Sequence, residues 1–133
     1  MFILNLFPLI GVPILLYCLI GLGYLGVMDS TELFTLTLVS ETQWVLNVAD
    51  FLVILAIFLL YIEIFKATRT SAISIVDHIL SLGVFIASLV TFLIWPPAGT
   101  STFFMLTLIA MIDVIAGFTI TISTARRDIG ISS

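Results

Sequence analysis

Residues 61–78 read YIEIFKATRTSAISIVDH, and long apolar runs flank them on both sides. Lys66 and Arg69 in this stretch are two of the four basic residues of the chain; Arg126 and Arg127 are the other two. The stretch therefore marks a return to water between two apolar segments, and its charge orients everything around it.

Working outward, the 133 residues are 62% hydrophobic and only 9% charged. A soluble domain carries about 25% charged residues, so this chain has too few to cover a water-facing surface. The composition predicts an all-α integral membrane protein in a single transmembrane domain, 1–133. Each span needs about 20 apolar residues, and four runs fit: 2–27, 44–65, 73–95 and 102–123. Pro8 and Pro13 lie in the first run, where each removes a backbone donor, so a kinked or broken first helix is expected. Trp44 and Trp95 stand where interfacial anchors belong, and Pro96-Pro97 ends the third span.

Between the first two spans, residues 28–43 hold Asp29, Glu32 and Glu41 and no basic residue. Asp29-Ser-Thr-Glu32 and Ser40-Glu-Thr-Gln43 both have the form of a helix N-terminus. The intervening Leu33–Val39 reads either as a short interfacial helix or as a short extended stretch. With four spans, the Lys66–Ser71 turn and both termini fall on one side, and all four basic residues fall there too. The positive-inside rule makes that side cytoplasmic. A bacterial inner membrane is the default location, and an organelle membrane would give a similar sequence.

Helical phase sorts the polar residues. Asn47, Asp50 and Tyr61 share one face of the second span, while Ala49, Ala56 and Glu63 recur on another. On the third span Ser74, Asp77, Ser81 and Ser88 form a stripe, and Gly83 and Ala87 form a small-xxx-small pair on a different face. On the fourth, Ala110, Asp113, Gly117, Thr121 and Thr124 form one small and polar face.

Asp113 is the sharpest chemical feature, at the midpoint of its span. A charged carboxylate at that depth costs at least ~2.5 kcal/mol unless paired or facing a polar cavity. Asp113 reads either as a proton- or cation-handling group or as a hydrogen-bonded residue that pins helix packing. Asp50, Glu63, Asp77 and His78 join it as candidates at other depths. Each has a plainer reading: Glu63 stands three residues before Lys66, an ordinary ion-pair spacing, and Asp77 lies near a helix start, where the dipole favours an anion. Asp50 and Glu63 occupy different faces, which argues against one pore lined by both. Gly83, Ala87, Ala110, Gly117 and Thr121 are candidates for helix packing or partner contact. Lys66, Arg69, Arg126 and Arg127 set topology.

No metal site or cofactor is expected: Cys18 and His78 are single residues of their kinds. A bound lipid is compatible with the apolar surface. Nucleic acid is excluded as a partner by the lack of a basic stripe. No nucleophile–base spacing or phosphate loop appears, so the chain is not expected to be an enzyme. The layout of four short spans is similar to small multidrug transporters and fluoride channels. The charged residue of the first span in the former and the arginine-bearing first helix of the latter have no counterpart before Asp29. Two function classes follow. One is an accessory or assembly subunit of a larger membrane complex, with membrane lipids and other subunits as partners. The other is a self-associating proton or cation channel or transporter using Asp113.

Overall fold

The computed structural model describes residues 7–23, 32–68 and 72–132, and their side chains apart from 72–74 and 124–132. In chain order these form α1 (Gly11–Gly21), β1 (Glu32–Thr37), β2 (Gln43–Asn47), α2 (Val48–Ala67) and α3 (Ala72–Ile94). A 3-10 turn (Pro96–Ala98) and α4 (Ser101–Ser132) follow. Three segments are long and apolar enough to cross a membrane: Val48–Ala67, Ile75–Ile94 and Ser101–Ser123, with mean hydropathies of 2.5, 2.0 and 2.2.

The first of the four expected spans is shorter than the sequence predicts. Its described helix has 11 residues, about 16 Å at 1.5 Å per residue against a hydrocarbon core of about 30 Å. The two prolines set where it begins. The amides of Gly11 and Val12 donate to the carbonyls of Pro8 and Leu9, both at 3.0 Å, making tight turns before the helix proper. Pro13 then falls in the first helical turn, where a missing N–H leaves no bond unmade. Among the described residues the helix proper begins at Gly11, after Pro8, with Pro13 inside its first turn. The rest of the expected span, 2–6 and 24–27, lies outside the described residues, as does the N-terminus on which the two-termini placement depends.

The connection before α2 departs from the all-α expectation: β1 and β2 pair antiparallel, Phe34 with Leu46, Thr35 with Val45, Leu36 with Trp44 and Thr37 with Gln43. Of the two readings open for Leu33–Val39, the extended one holds. The Thr/Leu alternation is the period-2 pattern of a strand. Ser40–Gln43 is not a helix start; it lies at the hairpin tip and the head of β2. The tip closes through Leu38 and Thr42, whose N–H and carbonyl bond at 2.9 Å, with Glu41 at φ 66. A left-handed residue ending a short hairpin loop is a common solution. Consequently α2 begins four residues later than expected, at Val48.

The start of α2 is fixed by a capping box. Asn47 Oδ1 accepts from the Asp50 amide at 2.9 Å, and the Asn47 amide donates to Asp50 Oδ2. Asp50 is exposed at this helix end and belongs to the cap. Asn47-x-x-Asp50 is the reciprocal N-cap pattern, and it holds Asp50 at the exposed start of α2.

The helices pack around α4, which lies between α2 and α3; those two barely touch, and α1 seats against all three. Small residues allow the close approach: Ala49 and Ala56 of α2 and Ala110 of α4 are buried. The apolar core joins Ile10, Ile14 and Tyr17 to Leu52, Ala56, Phe103, Leu106 and Ile109. The Tyr17 ring meets Phe103 edge-on at 5.0 Å. Its hydroxyl bonds the Pro97 carbonyl at 3.0 Å and the Thr100 hydroxyl, tying the end of α1 to the turn between α3 and α4. Gly21 permits the same docking, because a Cβ there would stand 2.9 Å from the Trp95 ring. α1 thus runs from the Lys66 end of the bundle to the Pro-Pro end, parallel to α3.

Asn47→Ala removes one side of the capping box, an effect of about 1 kcal/mol. Hydrogen exchange at the amides of the first turn of α2 is expected to speed up roughly fivefold by that measure, with exchange in the middle of α4 unchanged.

Candidate functional site

The polar residues of α2, α3 and α4 that sequence phase assigned to separate stripes converge toward the Lys66 end of the bundle. Glu63, Asp77, His78, Ser81 and Asp113 are all buried, none more than 7% exposed. Glu63 follows Ala49 and Ala56 at seven-residue spacing, so the face that packs on α4 carries the carboxylate inward. Asp77 and Ser81 follow the i,i+4 row of α3, and Asp113 and Gly117 the matching row of α4.

Glu63 is the most fully bonded of these groups. Its Oε1 accepts from the Leu9 amide at 2.7 Å and from Lys66 Nζ at 3.1 Å. Lys66 Nζ also donates to the Phe7 carbonyl at 3.2 Å. The Glu63–Lys66 pair on α2 thereby grips both polar groups of the chain just before α1. An amide at a helix entrance has no partner within its own helix, so a buried carboxylate is a fitting acceptor.

Lys66 Nζ lies 3.5 Å from Asp77 Oδ1 as well. That is an ion-pair distance without a hydrogen bond: Asp77 Oδ1 and Ser81 Oγ are buried with no hydrogen-bond partner among the described residues. Asp113 lies deeper, beside Ser81 and within electrostatic reach of Glu63, Asp77 and Lys66. Among the described residues, Glu63 and Asp77 share the Lys66 ammonium, and Asp113 is a third buried carboxylate beyond them that makes no ion pair with it. At the edge of the cluster His78 Nε2 bonds the Thr121 hydroxyl at 2.8 Å. Its ring packs over Gly117, where a Cβ would stand 3.0 Å from Nδ1.

Toward the other end the polar character stops. Ala56, Leu52, Phe103, Leu106, Ile109 and Ala110 fill the space between the helices. Thr107 and Ser88 are buried there, but their hydroxyls bond carbonyls of their own helices. The bundle is therefore polar at the Lys66 end and apolar at the Pro-Pro end.

Of the five residues expected to handle ions, the structure brings Glu63, Asp77, His78 and Asp113 together and leaves Asp50 at the far end, in its cap. Of the packing candidates, Ala110, Gly117 and Thr121 face the interior beside Asp113 and His78. Gly83 and Ala87 are exposed, and a Cβ on Gly83 would meet nothing within 4 Å. Ala87 instead lines a groove of about 290 Å³ between α1 and α3, with Gly11, Ile14, Cys18 and Val84 among its walls. Arg69 lies outside the described residues. α4 continues as helix through Arg126 and Arg127. The sequence pointed to the Glu63–Lys66 pair by its spacing, but not to the contact of Lys66 with Asp77 or to the part played by Phe7 and Leu9. Main-chain partners such as the Leu9 amide and the Phe7 carbonyl leave no side-chain signal in a sequence.

Comparison of the chain with known protein families, with curated proteins and with solved structures found no match. The class rests on the architecture itself: a helical membrane protein with a buried ionisable cluster toward one end.

Removing one partner of a buried ion pair typically costs about 3–5 kcal/mol. Lys66→Met is expected to lower thermal stability in detergent by an amount in that range, since it leaves Glu63 and Asp77 without their shared cation. Glu63→Gln is expected to cost less, because an amide oxygen still accepts from Leu9. Gly117→Ala is expected to displace the His78 ring; the reporter is the loss of its bond to Thr121, read from the imidazole nitrogen shifts.

Proposed function

We propose that this protein binds and releases protons or small cations at Asp113, with Asp77, Glu63 and Lys66 forming the approach from the basic side. One observation carries the reading: three buried carboxylates stand against one ammonium among the described residues. An uncompensated carboxylate inside a low-dielectric bundle is costly, and the excess here invites neutralisation by a proton or a cation. The positive-inside rule assigns the basic side to the cytoplasm, which places the approach on the cytoplasmic face, by default of a bacterial inner membrane. Asp77, next to Lys66, and Ser81, beside Asp113, follow one row of α3, a spacing that suits a stepwise relay.

The apolar packing of Leu52, Phe103 and Leu106 makes the approach one-sided in this conformation. Transfer to the opposite face would need those layers to part.

A second reading has its own support. The groove between α1 and α3, continued by the outward Gly83 and Ala87, is a surface on which another transmembrane helix could pack closely. This favours an accessory or assembly subunit of a larger membrane complex, in which the cluster serves to hold α1 in place.

Reconstitution into liposomes with an internal pH dye and an imposed membrane potential separates the two. Wild-type protein is expected to collapse the gradient faster than protein-free vesicles. Asp113→Asn is expected to slow this at least tenfold, as loss of one essential proton-transfer group would, and Asp50→Asn to leave it unchanged. A wild-type rate equal to that of empty vesicles sinks the transport reading. The composition of the particle extracted in mild detergent then tests the subunit reading.

A further inference from the structure

The β1–β2 hairpin is amphipathic, and neither proposed function uses it. The pairing puts Phe34, Leu36, Trp44 and Leu46 on one face and Thr35, Thr37, Gln43 and Val45 on the other. The Phe34 and Trp44 rings confirm the shared face, meeting edge-on with centroids 5.6 Å apart. Only Leu46 is buried; Leu36 is 50% exposed, and Val39 at the tip is fully exposed. A two-stranded hairpin is at best marginally stable alone in water, and these side chains would add an apolar patch to its surface.

The position of the hairpin says what covers that face. β2 ends at Asn47 and α2 begins at Val48, with Asn47 serving as both strand end and helix cap. No linker separates the hairpin from a membrane-spanning helix, so its base stands at the boundary between hydrocarbon and headgroups. We infer that the hairpin lies on the bilayer surface, its Phe34–Leu36–Trp44 face and its Leu38–Val39 tip buried in the headgroup region of the lipid. Trp44 then sits at the depth where tryptophan is enriched. The two unpaired strand edges lie where headgroups and water satisfy their backbone groups, a requirement that hydrocarbon could not meet. Thr35, Thr37 and Gln43 face outward. Glu32 and Glu41 sit at opposite ends of the hairpin, and no basic residue lies on it. The surface it suits is zwitterionic lipid, and anionic lipid would weaken the contact.

Spin labels attached to single cysteines, in the Cys18→Ser background, test this in phosphatidylcholine vesicles. With the label on Val39→Cys or Leu36→Cys, collision with oxygen is expected to exceed collision with a water-soluble nickel chelate severalfold. With the label on Thr37→Cys the order should reverse. Each labelled protein is first required to match the parent in helix content and elution volume. Equal access of the chelate to residues 36, 37 and 39 would overturn the proposal, as would shielding of Leu36→Cys and Val39→Cys from both reagents, the signature of a protein cover. Trp44 emission in Trp95→Phe supplies a label-free check. Quenching by brominated lipid and resistance to iodide are expected, and efficient quenching by iodide would count against the inference.

Discussion

The carboxylate of Glu63 is the junction on which the arrangement depends. It lies on the inward face of α2, takes the Leu9 amide and the Lys66 ammonium, and through Lys66 reaches both Phe7 and Asp77. One side chain thereby joins α2, α3 and the entrance to α1. A buried pair of this kind contributes little compared with an apolar replacement, but breaking half of it is severe. Its value lies in direction: apolar faces would let α1 slide along α2, whereas a bonded amide and carbonyl fix its height. The other end of α1 is fixed by Tyr17 against Pro97 and Thr100. The shortest helix of the bundle is thus pinned at both ends by polar contacts, which an 11-residue helix with a modest apolar face needs more than its neighbours do.

Much of the framework was legible in the sequence for a simple reason. In lipid, backbone bonds must close within a segment, so length and apolarity nearly determine α2, α3 and α4. The inward faces of α2 and α4 were also readable, because Ala49, Ala56 and Glu63, and Ala110, Asp113 and Gly117, repeat at helical spacing. What could not be read was how those faces turn toward one another. Asp50 and Glu63 do lie on different faces, the one exposed and the other buried. The further step, that Glu63, Asp77 and Asp113 meet, depends on helix rotation set by packing, and no single-helix pattern contains it.

The hairpin escaped for a different reason. Its strands are apolar enough to resemble the beginning of a span, and Trp44 looks like an anchor at a helix end. The deciding residues were Asn47 and Asp50, a helix start written four residues inside the expected span. Reading Asp50 as an intramembrane acid and missing the cap were one error. A carboxylate this near the start of a span has two opposite meanings, and the Asn three positions before it selects the cap.

The asymmetry of the bundle bears most directly on mechanism. Polar groups gather at the Lys66 end, and the Pro-Pro end is sealed by aliphatic and aromatic packing around Phe103. A structure that only needed helix adhesion could distribute its hydroxyls evenly, since each such bond contributes about 0.6 kcal/mol. Here Ser88 and Thr107 turn back on their own helices, and the ionisable groups gather toward the Lys66 end and reach inward to Asp113. Concentrating carboxylates incurs mutual repulsion that spreading them would avoid, so the arrangement has to be offset by something that scattered hydroxyls would not supply. Docking α1 accounts for Glu63 and Lys66. It does not account for Asp77 and Asp113, which have no hydrogen bond to α1 among the described residues, and the proposal of an exchangeable proton or cation rests on those two residues.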